Sequence, residues 1–209
     1  PKTNRYQGAS HSFCVPADLT AAIKETAKQQ NVTTYMMLLA VYQILLHRYT
    51  GQDDILVGSP TAGRDKRKLG KAMGNFVNTI ITRSTVNDST RFSDALQHTF
   101  KQVVEAIRHQ QVLFPQVVTA KEVKRDNSRT PLFQAHFAWD KLPQFAKFEH
   151  FFSENSQQTP VQWGGLTLAP YWVPQQEGQF DLALEMGAEI NGELTATLKY
   201  RQDLFLPVS

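Results

Sequence analysis

Apolar positions recur along the chain with two periods, one helical and one extended. Between Ala17 and Gln30, Leu19, Ile23 and Ala27 repeat every four residues, which places them on one face of a helix. Thr33 or Thr34 can cap the next helix, which is predicted to run to about Thr50. Tyr35, Met36, Met37, Leu38, Leu39, Val41, Ile44, Leu45 and Leu46 leave that helix only a narrow polar stripe, so it is predicted to be central and buried. Phe92, Leu96, Phe100, Val103 and Ile107 mark a longer amphipathic helix. A short helix follows Pro115, since proline suits a first helical turn. Strands are predicted at Ser12–Val15, Ile55–Gly58, within 76–86, at 132–139, and near 166–172, 180–188 and 193–200. Residues 50–54 read as a turn, 59–74 as a loop and 141–165 as irregular. Helices and strands mixed in this way predict an α/β (α+β) two-layer sandwich, a mixed sheet with packed helices.

Composition narrows the function classes. The chain has 209 residues, 41% hydrophobic and 20% charged, the make-up of an ordinary globular domain. Its net charge is +3, too mild to argue for nucleic acid. Arg64, Lys66, Arg67, Lys68 and Lys71 do cluster, but no aromatic residues interleave with them as base-stacking platforms would. They read as a solvated loop face, and no nucleic-acid partner is expected. The longest apolar run, Tyr35 to Tyr42, is far short of the roughly 20 residues of a membrane span. Cys14 has no second cysteine to pair with and reads as a small buried hydrophobe. The start at Pro1, without Met or an apolar leader, reads as a piece of a longer polypeptide without a signal peptide, and a cytoplasmic location is expected.

Candidate chemistry is sparse. Gly58 to Asp65 comes near a phosphate-binding loop, but Arg64 stands in place of its lysine and Asp65 in place of its hydroxyl. A carboxylate there would repel phosphate, and Pro60 removes a backbone donor. Of His11, His47, His98, His109, His136 and His150, no two have the helical spacing of a metal pair, and no metal site is expected. No Gly-x-Ser-x-Gly elbow is present. From the residues alone the reading ends at a soluble α/β domain with a glycine-rich basic loop and no self-contained catalytic set.

Longer patterns carry a resemblance. Met73-Gly74-Asn75-Phe76-Val77-Asn78-Thr79 with Arg83, His109-Gln110-Gln111 before Phe114-Pro115, and Arg125-Asp126-Asn127-Ser128-Arg129-Thr130-Pro131-Leu132-Phe133 resemble motifs of the condensation domains of nonribosomal peptide synthetases. Tyr49 to Asp54, Gly58 to Arg64, Phe180-Asp181-Leu182, and Tyr200 with Leu204-Phe205 fit the same family in the same order. Each pattern is weak alone, and seven in order are specific. The resemblance implies one lobe of a fold like chloramphenicol acetyltransferase. The family's first lobe carries His-His-x-x-x-Asp-Gly, and no adjacent histidine pair occurs here. Residues 1–209 are therefore expected to be the C-terminal subdomain, without a catalytic residue of its own. The resemblance implies a role for Arg64, bracing the aspartate of the other lobe's histidine motif. It also suggests Ser59, Asn78 and Gln179 as tunnel-lining positions. Residues 59–74 and the stretch before Phe180 are candidates for the segments that cross between lobes. No cofactor is expected on this chain, since the family's substrates arrive on phosphopantetheine arms of carrier proteins. The implied partners are the N-terminal lobe, peptidyl carrier proteins and adjacent synthetase domains, with no membrane.

Overall fold

The computed structural model describes residues 7–63, 73–122, 126, 128–139, 148, 151, 160–171 and 178–206. The elements in chain order are β1 (Gly8–Val15), α1 (Ala17–Gln29), α2 (Thr34–Thr50), β2 (Asp54–Thr61), β3 (Asn78–Thr85), α3 (Phe92–Arg108), α4 (Phe114–Ala120), β4 (Ala135–Trp139), β5 (Val161–Trp163), β6 (Leu166–Leu168), β7 (Leu182–Ile190) and β8 (Glu193–Arg201).

Among the described residues, six strands form one mixed sheet in the order β1-β8-β7-β4-β2-β3. The three central strands β7, β4 and β2 run parallel, and each outer pairing is antiparallel. Side chains alternate across such strands. Ile55 and Val57 of β2, Ala135 and Phe137 of β4, Met186 of β7, and Leu194 and Ala196 of β8 point to one face. There they meet Met36, Leu39 and Tyr42 of α2 and Val103 of α3. This two-layer packing is the expected fold class. The helix layer is also tied by a buried polar chain: Thr99 donates to Gln43 Oε1 at 2.8 Å, and the Gln43 amide donates to Thr82 Oγ1 at 3.4 Å.

Local chemistry sets the helix ends. Thr33 Oγ1 accepts the Met36 N–H at 3.2 Å and starts α2. Gly51, at φ +66°, ends it in the left-handed conformation and returns its N–H to the His47 carbonyl.

Several expectations need correction. Helix α2 is not buried all round: Val41, Leu45 and Tyr49 are 47%, 44% and 81% exposed, one helical turn apart. A helix hydrophobic on every side has a second face, and no described residue covers it. Cys14 is exposed rather than buried, because it alternates with Val15, which packs on the core, and so points to the opposite sheet face. Strand β2 continues to Thr61, so Ser59 lies in a strand and not in a loop. Residues 161–168 form the small β5–β6 hairpin apart from the main sheet, with its turn at Gly164-Gly165, in place of one strand at 166–172.

Candidate functional site

Gly58, Phe114, Phe133 and Phe180, each from one of the sequence motifs, meet on the sheet face opposite α2 and α3. Gly58 alternates with the core residue Val57, so it opens onto that face. A Cβ there would come within 2.2 Å of the Phe133 ring, which occupies the space beside the glycine. From Phe133 an aromatic run spreads both ways. Phe114 at the start of α4 meets it edge-on at 5.6 Å, and Phe180 lies tilted at 5.5 Å. Phe180 then stacks on the His136 ring at 4.4 Å, with 2° between the planes. Residues far apart in sequence thus form one contiguous layer of rings.

Two polar hubs flank this layer. The first is Asn78, the opening residue of β3, which is 9% exposed. Its Nδ2 donates to the carbonyls of Gln110 and Val112, each at 2.8 Å, and its Oδ1 accepts the Phe114 N–H at 3.1 Å. One side-chain amide therefore fixes the whole connection from α3 to α4 to the sheet.

The second hub is Arg201, the last residue of β8, which is 1% exposed. Its Nε and Nη2 grip both carboxylate oxygens of Asp203, at 3.0 and 2.7 Å. Its Nη1 donates to Asp181 Oδ1 at 3.0 Å and to the Ser128 carbonyl at 2.8 Å. The planar guanidinium satisfies these directions at once, which an ammonium could not do. The Asp203 carboxylate raises the guanidinium pKa further, and Arg201 holds the Asp203 carboxyl below the usual carboxylate range. Gly178 leaves room for the arginine stem, since a Cβ there would sit 2.7 Å from Arg201 Cγ. Sequence reasoning did not single out Arg201. An arginine closing a strand two residues before an aspartate was the available signal, and Asp181 already stood in a recognised motif.

The residues singled out from the sequence fall in different places. Ser59 is fully buried and faces the helix layer. Its hydroxyl lies against the Tyr35 phenol, although it meets no strict hydrogen-bond geometry. Burial raises the Tyr35 pKa, and the serine partly offsets this. The Asn78 amide is fully engaged in the brace just described. Gln179 is exposed, and its carbonyl accepts the Thr130 hydroxyl at 3.4 Å. No hydrogen bond joins Ser59, Asn78 and Gln179 to one another among the described residues. Arg64 lies outside the described residues, as does most of the basic loop. Met73, near the end of that loop, and Val77, just beyond it, are exposed.

His136 is the remaining titratable group on this face. Burial, reinforced by the Lys199 charge, pushes its pKa down to about 4, so the ring is neutral at pH 7. Its Nδ1 is buried without a hydrogen-bond partner. Lys199 itself pairs with Glu185 at 2.6 Å. Among the described residues no cluster of histidine, cysteine and carboxylates could hold a metal ion, and no helix is long and apolar enough to cross a membrane. Proton transfer needs a positioned acid or base that is free to exchange. The Arg201 and Asn78 hubs commit their polar atoms to internal bonds.

The family model for the condensation domain matches residues 1–208. Tyrocidine synthase 3 of Brevibacillus parabrevis is 34% identical over 202 residues, which is 95% of this chain and 3% of that protein. Bacitracin synthase 2 of Bacillus licheniformis is 34% identical over 205 residues, which is 98% of this chain and 7% of that protein. The chain thus spans only a small part of the curated relatives it matches. Among solved structures, a holo four-domain nonribosomal peptide synthetase bound to AMP and glycine superposes with a TM-score of 0.94 at 32% identity, covering 99% of this chain and 16% of that one. The X-domain from teicoplanin biosynthesis, solved alone and in complex with OxyB, shares the fold. The structure solved alone has a TM-score of 0.79 at 18% identity; the match covers 100% of this chain and 45% of that one.

Proposed function

This chain belongs to the condensation-domain family, and from that premise we propose that it is the C-terminal half of a two-lobed unit that forms peptide bonds in nonribosomal peptide synthesis. One observation carries the reading. The family match runs through the whole chain, yet the chain spans under half of a family-fold domain and its sequence holds no adjacent histidine pair.

In the reaction, an amine on one carrier's phosphopantetheine arm attacks the thioester carbonyl on another. A C–N bond forms, the C–S bond breaks, and the amine proton leaves as the thiol is released. The base that takes the proton would come from the N-terminal lobe. This half would supply one wall of the tunnel in which both arms meet. Holding the reactants at attack distance can be worth about 7–11 kcal/mol in a well-oriented site. A wall built on braced segments suits that task. Arg64 would grip the aspartate of the facing histidine motif through two parallel hydrogen bonds. The experiment is direct: the purified chain, offered two loaded carrier proteins, is expected to give no dipeptidyl carrier above background. Product formation by this half alone would overturn the reading.

A second reading is a catalytically idle module that recruits carriers or other partners. The observation favouring it is the shared fold of the X-domain, which was solved in complex with OxyB. Assaying the longer protein separates the two: condensation by it supports the first reading, and carrier binding without turnover supports the second.

A further inference from the structure

We propose that the cleft at the carboxyl end of β4, between the last turns of α1 and the first turn of α2, binds a small molecule with a phosphate head and an apolar tail. Because β2, β4 and β7 are parallel, their carboxyl ends open on the same side. Crevices beyond such ends are where open α/β sheets commonly hold ligands. The cleft measures about 600 Å³, within the range of roughly 300–1,000 Å³ typical of small-molecule sites and larger than a bare inorganic anion needs.

Its lining is chemically mixed. Ala27, Val32, Tyr35 and Trp139 supply apolar surface. Val32, Tyr35 and Trp139 also pack on the main core, which holds that surface in place. Lys24, Lys28, Thr33 and Thr34 supply charge and hydroxyls beside it. Glu189 at the end of β7 pairs with Lys24 at 2.5 Å, fixing the rim and cancelling one charge. Lys28 lies one turn further along α1 and has no carboxylate partner among the described residues, so the cleft keeps a net positive charge. That charge sits beside the amino end of a 17-residue helix, which favours anions as well. The apolar part of the lining gives a tail somewhere to bury. The site contains no reacting group, and the proposal does not rest on the condensation reading.

The test is a titration of the chain, followed by tryptophan fluorescence and by amide NMR shifts, with phenyl phosphate, inorganic phosphate and benzyl alcohol as probes. Phenyl phosphate should saturate, with shifts centred on residues 24–35 and Trp139, and should bind at least about tenfold more tightly than either other probe. Lys28 is exposed, so Lys28→Glu should fold and weaken binding about tenfold or more, while Lys121→Glu, an equal charge change just past the end of α4, should alter it by less than about twofold. Absence of saturation, equal binding of inorganic phosphate or of benzyl alcohol, or equal weakening by Lys121→Glu would each overturn the proposal.

Discussion

At the scale of single residues, buried polar groups dominate. Arg201 carries its charge inside the fold because Asp181, Asp203 and the Ser128 carbonyl surround it. Removing the arginine leaves two carboxylates without their partner. Arg201→Met is therefore expected to cost about 3–5 kcal/mol in urea unfolding, far more than the lost side chain's packing. Asn78→Ala strands two carbonyls and one N–H, and about 2–4 kcal/mol is expected. An Asn78→Ala chain as stable as the wild type would mean that water replaces the brace without cost. His136 acts through pH. It titrates near 6.5 when unfolded and near 4 when folded, so the unfolded chain binds more protons between those values. Its stabilising contribution is complete above pH 6.5 and is lost as pH falls towards 4. From pH 7 to pH 5 this group alone should cost about 2 kcal/mol. Denaturation midpoints of the wild type should drop accordingly, and those of His136→Leu should drop less.

At the scale of elements, the periodic segments were legible in the sequence and their partners were not. The four-residue spacing of α1 and α3 and the Thr33 cap of α2 follow from local rules, and all three helices form. The exposure of Val41, Leu45 and Tyr49 could not be read there, because a hydrophobic face states that something should cover it and not whether that thing is present. The same limit applies to Ser59 and Asn78. Their positions in motifs were visible, whereas one lies under a tyrosine and the other braces a loop through long-range contacts. Arg201 escaped notice because, beside the nearby Asp203, two of its three partners sit 73 and 20 residues away. Two predictions belong here. Leu45→Glu on the open face of α2 should leave the unfolding midpoint nearly unchanged and lower any concentration-dependent association, since surface changes seldom exceed about 0.5 kcal/mol. Gly58→Ala should instead cost about 1–3 kcal/mol, because the added methyl must displace the Phe133 ring and with it the stack on Phe180 and His136.

At the scale of the whole molecule, the braced sheet and the family motifs are built from the same residues. The motifs that identify the family serve largely as the fold's internal fastenings. The pairing of the first strand with the last has a consequence in time. Ser12 and Thr197 share a hydrogen bond across 185 residues, and β8 is the strand that joins β1 to the rest of the sheet. A ribosome working at about 5–20 residues per second needs roughly 10–40 seconds to cover that distance. During that interval β1 has no strand beside it, which makes it a template for pairing with any nascent chain nearby. Assembly of this sheet is thus gated by translation of its final strand. A pause in the message just before the codons for β8 should raise aggregation in the cell, while pauses after it should not.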